Sequence, residues 1–180
     1  MGRAGSVPSA QVTGVAPLLR FRPFCDFQPG TVFSLLSRSY AQSTAHGPDL
    51  LHEWKFGWRE YDEDVYRHPD TVGQSGFVSC LGDSIVGFGS WDPRAFPTAR
   101  IGHNCIVPEF RQNGYGTLQL RHITALLRGM SFTRAVAKTG DTPFFEPARR
   151  MYKGCGFLRV ADHPSGSHAP FGVAEYHLLL

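Results

Sequence analysis

Apolar positions recur along this chain at two spacings, near two and near three and a half residues, and each change of spacing marks a boundary between elements. The opening run Leu18-Leu-Arg-Phe-Arg-Pro-Phe alternates apolar and basic residues and suits a half-buried first strand. Pro29-Gly30 breaks it, and Thr31 is a reasonable N-cap for a helix that carries Val32, Leu35, Leu36 and Tyr40 inward. After a polar loop through Gly47-Pro48, Leu51, Trp54, Trp58, Tyr61 and Val65 form one helical stripe, weakened by Gly57. Residues 76–81 and 84–91 read as two strands joined by a Gly82-Asp83 hairpin turn. Gly87 and Gly89 leave the second of them without side chains on one patch, which implies a bulge or a closely packed neighbour.

The middle of the chain reads as strand, glycine-rich turn and helix. Residues 101–107 are mostly apolar or small and end at Pro108, which cannot donate to a sheet ladder. Leu118, Ile123, Leu126, Leu127 and Met130 then follow helical spacing, with Gly129 placed to close the helix in a left-handed conformation. A short strand over 132–138 comes next, then a helix from near Pro147, a strand over 157–161, a Pro/Gly/Ser/His loop to Pro170 and a last strand over 173–179. The order β-α-α-β-β-β-α-β-α-β-β is that of a mixed α/β domain.

The turn Arg111-Gln-Asn-Gly-Tyr-Gly116 carries the first chemical signal. Two glycines separated by one residue let successive N–H groups converge, and they do so where a helix begins and its first amides lack partners. Such a turn is built for an anion. No Gly-Lys-Ser/Thr follows and a third glycine is missing, so neither a nucleotide P-loop nor the dinucleotide fingerprint is present. A pyrophosphate on a smaller cofactor fits better.

The segment Val107-Pro-Glu-Phe-Arg-Gln-Asn-Gly-Tyr-Gly116 resembles the acyl-CoA-binding motif, Arg/Gln-x-x-Gly-x-Gly/Ala, of the GNAT acetyltransferase superfamily. Downstream, Ala148-Arg-Arg-Met-Tyr-Lys-Gly-Cys-Gly-Phe157 resembles that family's Ala-x-x-x-Tyr-x-x-x-Gly-Phe. The two matches cover about residues 100 to 160 and stand in the family's order. The resemblance implies a central, mostly antiparallel sheet of about six to seven strands flanked by about four helices, an α+β mixed sheet. It also implies acetyl-CoA as cosubstrate and acetyl transfer to a primary amine of a small molecule or peptide, by direct attack in a ternary complex. In that scheme the amides of Arg111, Gln112, Asn113, Gly114, Tyr115, Gly116 and Thr117 hold the pyrophosphate, and Ile106 and Val107 pair their backbones with the pantetheine.

Tyr152 stands where the family carries its general-acid tyrosine, although a tyrosine packing its helix into the core has the same pattern. His103 has the pKa range of a base, and Asn104 could orient water or substrate; strand alternation alone leaves open which of the two faces the amine. Trp54, Trp58 and Tyr61 fall where GNAT-like folds border the acceptor site, or they are simply core aromatics. One departure stands out: the family often has Asn seven residues before the tyrosine, and Phe145 is here. That departure keeps alive a CoA-binding regulatory domain without transfer; a third reading makes the acceptor a protein lysine or N-terminus, which predicts an open groove.

Composition narrows this further. A chain of 180 residues favours one domain, expected over 17–180, behind a Gly/Ala/Ser/Val/Pro-rich tail at 1–16 read as flexible. That tail has no apolar core of a secretory signal, though its arginines and lack of acids leave an organellar transit peptide as the alternative. No apolar run approaches the roughly 20 residues needed to span a bilayer, so no membrane partner is expected. Cys25, Cys80, Cys105 and Cys155 lack CxxC spacing and read as buried free thiols of a reducing compartment, the cytoplasm by default. The eight histidines form no HExxH pair, so no metal is expected.

The net charge of +3 hides a split. Residues 100–159 hold ten Lys/Arg against three acids, and residues 49–70 hold seven acids against three bases. A basic half suits the phosphates of CoA and an acidic half a cationic amine, unless both are only solvated helix faces. Basic and aromatic residues are not interleaved as nucleic-acid binding would need. Oligomeric state is left open, a homodimer included.

Overall fold

The computed structural model describes residues 18–43, 47–165 and 171–180. The expected tail at 1–16 and part of the loop before Phe171 lie outside the described residues. Eleven principal elements follow one another: β1 (Leu19–Arg22), α1 (Thr31–Tyr40), α2 (Gly47–Arg67), β2 (Gly76–Leu81), β3 (Ser84–Asp92), β4 (Thr98–Ile106), α3 (Tyr115–Gly129), β5 (Arg134–Gly140), α4 (Glu146–Gly154), β6 (Leu158–His163) and β7 (Val173–Leu179). Their order is the expected one. The strands make one seven-stranded sheet, β1-β2-β3-β4-β5-β7-β6, antiparallel everywhere except between β4 and β5.

Each face of the sheet has its own core. On one, Leu35 and Leu36 of α1 and Trp58 and Val65 of α2 pack against Val78, Phe88, Cys105 and Val107. On the other, Leu120, Ile123 and Leu127 of α3 and Tyr152 of α4 pack against Phe77, Trp91, Ala99, Ile101 and Tyr176. Burying one such side chain contributes about 1.5–3 kcal/mol, so these faces carry much of the fold.

Two features position the site. The first is that β4 and β5 pair only at residues 98–100 with 134–136. Beyond them β5 stays with β7, β4 stays with β3, and the two strands part into a cleft. The second is a bulge. Gly89 faces Asn104 and Trp91 faces Ile101, so β4 takes three steps where β3 takes two. The extra residue falls at Gly102 and His103, and the His103 amide donates to Ser90 Oγ at 2.9 Å instead of to the ladder. As a result Ala99 and Ile101 point to the α3 side, while Cys105 and Val107, of the same parity, point to the α1 side. At Gly87 the strands approach so closely that a Cβ would stand 2.0 Å from the Cys105 carbonyl oxygen, which is why that patch of β3 is bare.

Several sequence expectations are corrected. The start of α1 is capped from another helix: Asp62 of α2 accepts from the amides of Gly30 and Phe33 at 2.7 and 3.0 Å, while Thr31 sends its hydroxyl to Gln28 O. Helix α2 begins at Gly47, so Gly47-Pro48 is its first turn rather than the end of a loop, since a proline there needs no N–H partner. Helix α3 begins at Tyr115 and ends without a left-handed glycine; Ser131, at φ 63°, makes that turn. Its buried face is Gln119, Leu120, Ile123, Thr124 and Leu127, while Leu118, Leu126 and Met130 are exposed. Gln119 displaces the expected stripe because the sheet offers it polar partners. Cys25 is exposed and Cys155 half-buried, so only Cys80 and Cys105 are buried thiols.

Candidate active site

The turn before α3 presents its backbone. Gly114, left-handed at φ 78°, caps the helix, and Gln112 is left-handed too at φ 64°. The first helical bond runs from the Leu118 amide to Gly114 O at 3.1 Å, and the amides of residues 112–117 find no acceptor among the described residues. Six consecutive donors at a helix start are the donor set that a diphosphate needs. Arg111 differs from expectation. Its own amide donates to Pro108 O, and its guanidinium is a strut that donates to Ile106 O at 3.0 Å and to Ser39 O.

The same accounting along β4 separates the two residues expected to meet pantetheine. Val107 is fully buried and its amide donates to Val86 O at 3.0 Å, so it is withdrawn into β3. Ile106 alternates with it and faces the cleft, although its carbonyl is held by Arg111.

A cavity of ≈ 450 Å³ opens where β4 and β5 part. Gly102, His103 and Asn104 line it from β4, Lys138, Thr139 and Gly140 from β5, and Ala148, Met151 and Tyr152 from α4. Bulge and cleft together put three successive β4 residues on one wall. His103 turns toward α2, with its ring 5.4 Å from that of Tyr61 and 5.6 Å from that of Phe88, and burial pushes its pKa down to about 4. It is therefore neutral near pH 7, and the burial that keeps it so also makes it a weak proton acceptor. Asn104 turns toward α3. Its amide group donates to Gly116 O and to the Met151 sulfur, both at 3.1 Å, and its oxygen accepts from Gln119 at 2.7 Å. Asn104 is thus a clamp between β4 and the anion turn rather than a free group for water or substrate.

Tyr152 stacks on Tyr176 at 5.6 Å and meets Phe157 edge-on at 5.4 Å, while its hydroxyl takes no hydrogen bond from the described residues. Burial, with smaller contributions from Cys105 and Cys155, raises its pKa well above the usual phenol value. Tyr152 belongs to the core on this face of the sheet and also lines the cavity. Its neighbour Tyr40 is raised too, chiefly by Cys105 and then by burial, and the Cys105 thiol donates to the Tyr40 hydroxyl at 4.0 Å.

The remaining wall is aromatic. Tyr40 stacks on Trp58 at 5.3 Å, meets Trp54 edge-on at 5.9 Å, and reaches across to Phe145 at 6.3 Å; Phe171 closes on Trp54 at 6.0 Å. Of the three α2 aromatics expected here, Trp54 and Trp58 line the cavity and Tyr61 sits behind His103. Phe145, in the place of the expected Asn, is part of this wall. Among the described residues no carboxylate lines the cavity and no group of side chains is arranged to hold a metal ion. Three acids of α2 are used elsewhere: Asp62 caps α1, and Glu63 and Asp64 pair with Arg67. None of the acids over 51–70 lines the cavity, so an acidic acceptor surface is not what those residues present to it.

Four lining or supporting residues had little or no sequence signal. Tyr40 was legible only as the inward end of α1, Lys138 as the end of a strand, Gln119 as a polar interruption and Phe171 not at all.

The fold class is that of the GNAT proteins. A GNAT-family protein from Desulfovibrio desulfuricans superposes with a TM-score of 0.68 at 20% identity, over 90% of this chain and 99% of the other. Ard1 from Thermoplasma volcanium gives 0.63 at 21%, over 92% and 99%. A Bacillus subtilis acetyltransferase solved in complex with CoA gives 0.59 at 12%, over 90% and 97%. The acetyltransferase (GNAT) family model matches residues 41–157, and the chain belongs to that family. No curated protein matches its sequence.

Proposed function

We propose that the protein moves an acetyl group from acetyl-CoA to a primary amine of a small molecule or peptide, by direct attack while both are bound. One observation carries this: six unpartnered amides at the start of α3 adjoin the cavity that holds His103 and Tyr152, joined to it through Asn104 and Met151, which both touch Gly116. The Bacillus subtilis relative bound to CoA adds weight from outside the chain.

Acetyl-CoA supplies an acetyl group already activated as a thioester. The chain supplies position, charge and protons. The amides at 112–117 hold a diphosphate without any side-chain charge, and Ile106 offers its amide along the cleft. Holding two reactants in register is worth several kcal/mol of barrier. His103, neutral near pH 7, borders the attacking amine and, held near pKa 4, relays its proton to water rather than keeping it. Tyr152 keeps its phenolic proton at any working pH and delivers it to an anion formed in the cavity. The dry surroundings that raise the phenol also raise a thiol, so the two are shifted in the same direction.

The aromatic wall supports a compact acceptor over an open protein groove. Incubating the full chain with acetyl-CoA and an amine panel should release free thiol. Tyr152→Phe should lower turnover by about 10²-fold with acetyl-CoA affinity kept. Absence of acetyl-CoA binding by calorimetry would remove the proposal, and unchanged turnover in the Phe variant would remove Tyr152 from it.

A further inference from the structure

The part of the cavity opposite the anion turn is walled by Tyr40, Trp54, Trp58, Phe145 and Phe171. Neighbouring rings among them are packed on one another at centroid distances of 5.3–6.3 Å, too close to sandwich a ligand between neighbours. They form a continuous apolar surface, not a set of open slots. The only formal charge on the cavity lining among the described residues is Lys138, since His103 is neutral. Lys138 pairs with Glu175 at 3.0 Å, but that carboxylate is shared with His163 at 2.8 Å and His177 at 2.7 Å. Glu175 is thus already surrounded by three donors, and their hydrogen bonds push its pKa down to about 2.

An amine held here by its charge would need a carboxylate or an open cage, and the described lining residues supply neither. A second positive charge on the same molecule would find there only Lys138, whose own charge is matched by Glu175, and so no free counter-charge among the described lining residues. An aromatic or bulky aliphatic body, by contrast, gains from burial against the five rings.

We infer that the acceptor is a monoamine carried on an aromatic or bulky apolar body, recognised by that body against the Trp54, Trp58 and Phe171 wall, and that polyamines are poor acceptors because the described lining offers their second charge no free carboxylate. The inference rests on the acetyl-transfer reading above and specifies its substrate class.

The test compares acceptors at saturating acetyl-CoA, with the full chain and free thiol as readout: 2-phenylethylamine and tryptamine against spermidine and a lysine-containing peptide. The aryl amines should show kcat/KM at least roughly tenfold higher, the range a buried apolar contact supplies. Trp54→Ala should raise KM for tryptamine several-fold at unchanged acetyl-CoA affinity, and Lys138→Met should raise kcat/KM for spermidine. If Trp54→Ala fails to fold, Trp54→Leu, which keeps bulk but loses the ring, gives the same comparison. Equal or better turnover of spermidine or the peptide, or a tryptamine KM indifferent to both Trp54 variants, overturns the inference while leaving acetyl transfer standing. Failure to bind acetyl-CoA, or no thiol release with any amine, overturns both.

Discussion

At His103 burial sets both chemistry and stability. The imidazole is held near pKa 4, against an ordinary value of 6.5. Between those two values the unfolded chain binds the proton that the folded one refuses, so stability rises with pH across the window and this contribution is complete above about 6.5. His103→Gln should therefore flatten the loss of stability between pH 6.5 and 4, measured by urea denaturation at a series of pH values. An unchanged slope would show that the ring is solvated. The same variant should lower turnover by roughly 10²-fold, and a wild-type rate would leave water as the base. His103 was legible as a candidate because its pKa range fits the task, but its direction was not, since strand parity fails where an extra residue is inserted. Tyr152 stood out in the sequence through its motif, and in the structure it is both a core residue and part of the cavity lining.

Among the elements, α1 depends on α2 for its start. Asp62 satisfies two amides of α1 while itself 6% exposed. Asp62→Ala should cost about 1–3 kcal/mol, while Glu60→Ala on the exposed side of the same helix should stay within about 0.5 kcal/mol; equal effects would mean that the cap is idle. The sequence suggested Thr31 for this task because capping preferences are local, whereas a cap from 31 residues away has no local signature. Strand β3 makes the complementary case. Gly87→Ala would place a methyl group on the Cys105 carbonyl and should cost roughly 3 kcal/mol or more by chemical denaturation. Here the sequence was informative: a bare patch in a strand pointed to a close approach, and the approach is there. The stripe on α3 was misread by one position because a fully buried Gln119, donating to Phe88 O and Asn104 and accepting from Ser79, looks from sequence like a surface residue.

For the whole molecule, ligand binding and folding are linked. Acetyl-CoA at a hundred times its Kd should stabilise the protein by about 2.7 kcal/mol, or roughly 5–10 °C in Tm for a chain of this size. Pantetheine, which lacks the diphosphate, should give less than half that shift; an equal shift would mean that the amides at 112–117 do no gripping. The architecture as a whole was readable because two motifs and one order of elements agreed. The acceptor wall was not, since Tyr40, Phe145 and Phe171 come together from three distant connections. The surplus residue in β4 carries one more consequence. Residue parity changes across the insertion while the pairing does not, so Ile101 and Asn104 share the α3 side although three positions apart. Deleting Gly102 or His103 would restore an unbroken ladder and leave every later residue on its present side, with Asn104 still toward α3 and Cys105 and Val107 still toward α1. A shorter chain would thus keep both inner layers and the clamp, and would lose only the surplus position from the cavity wall.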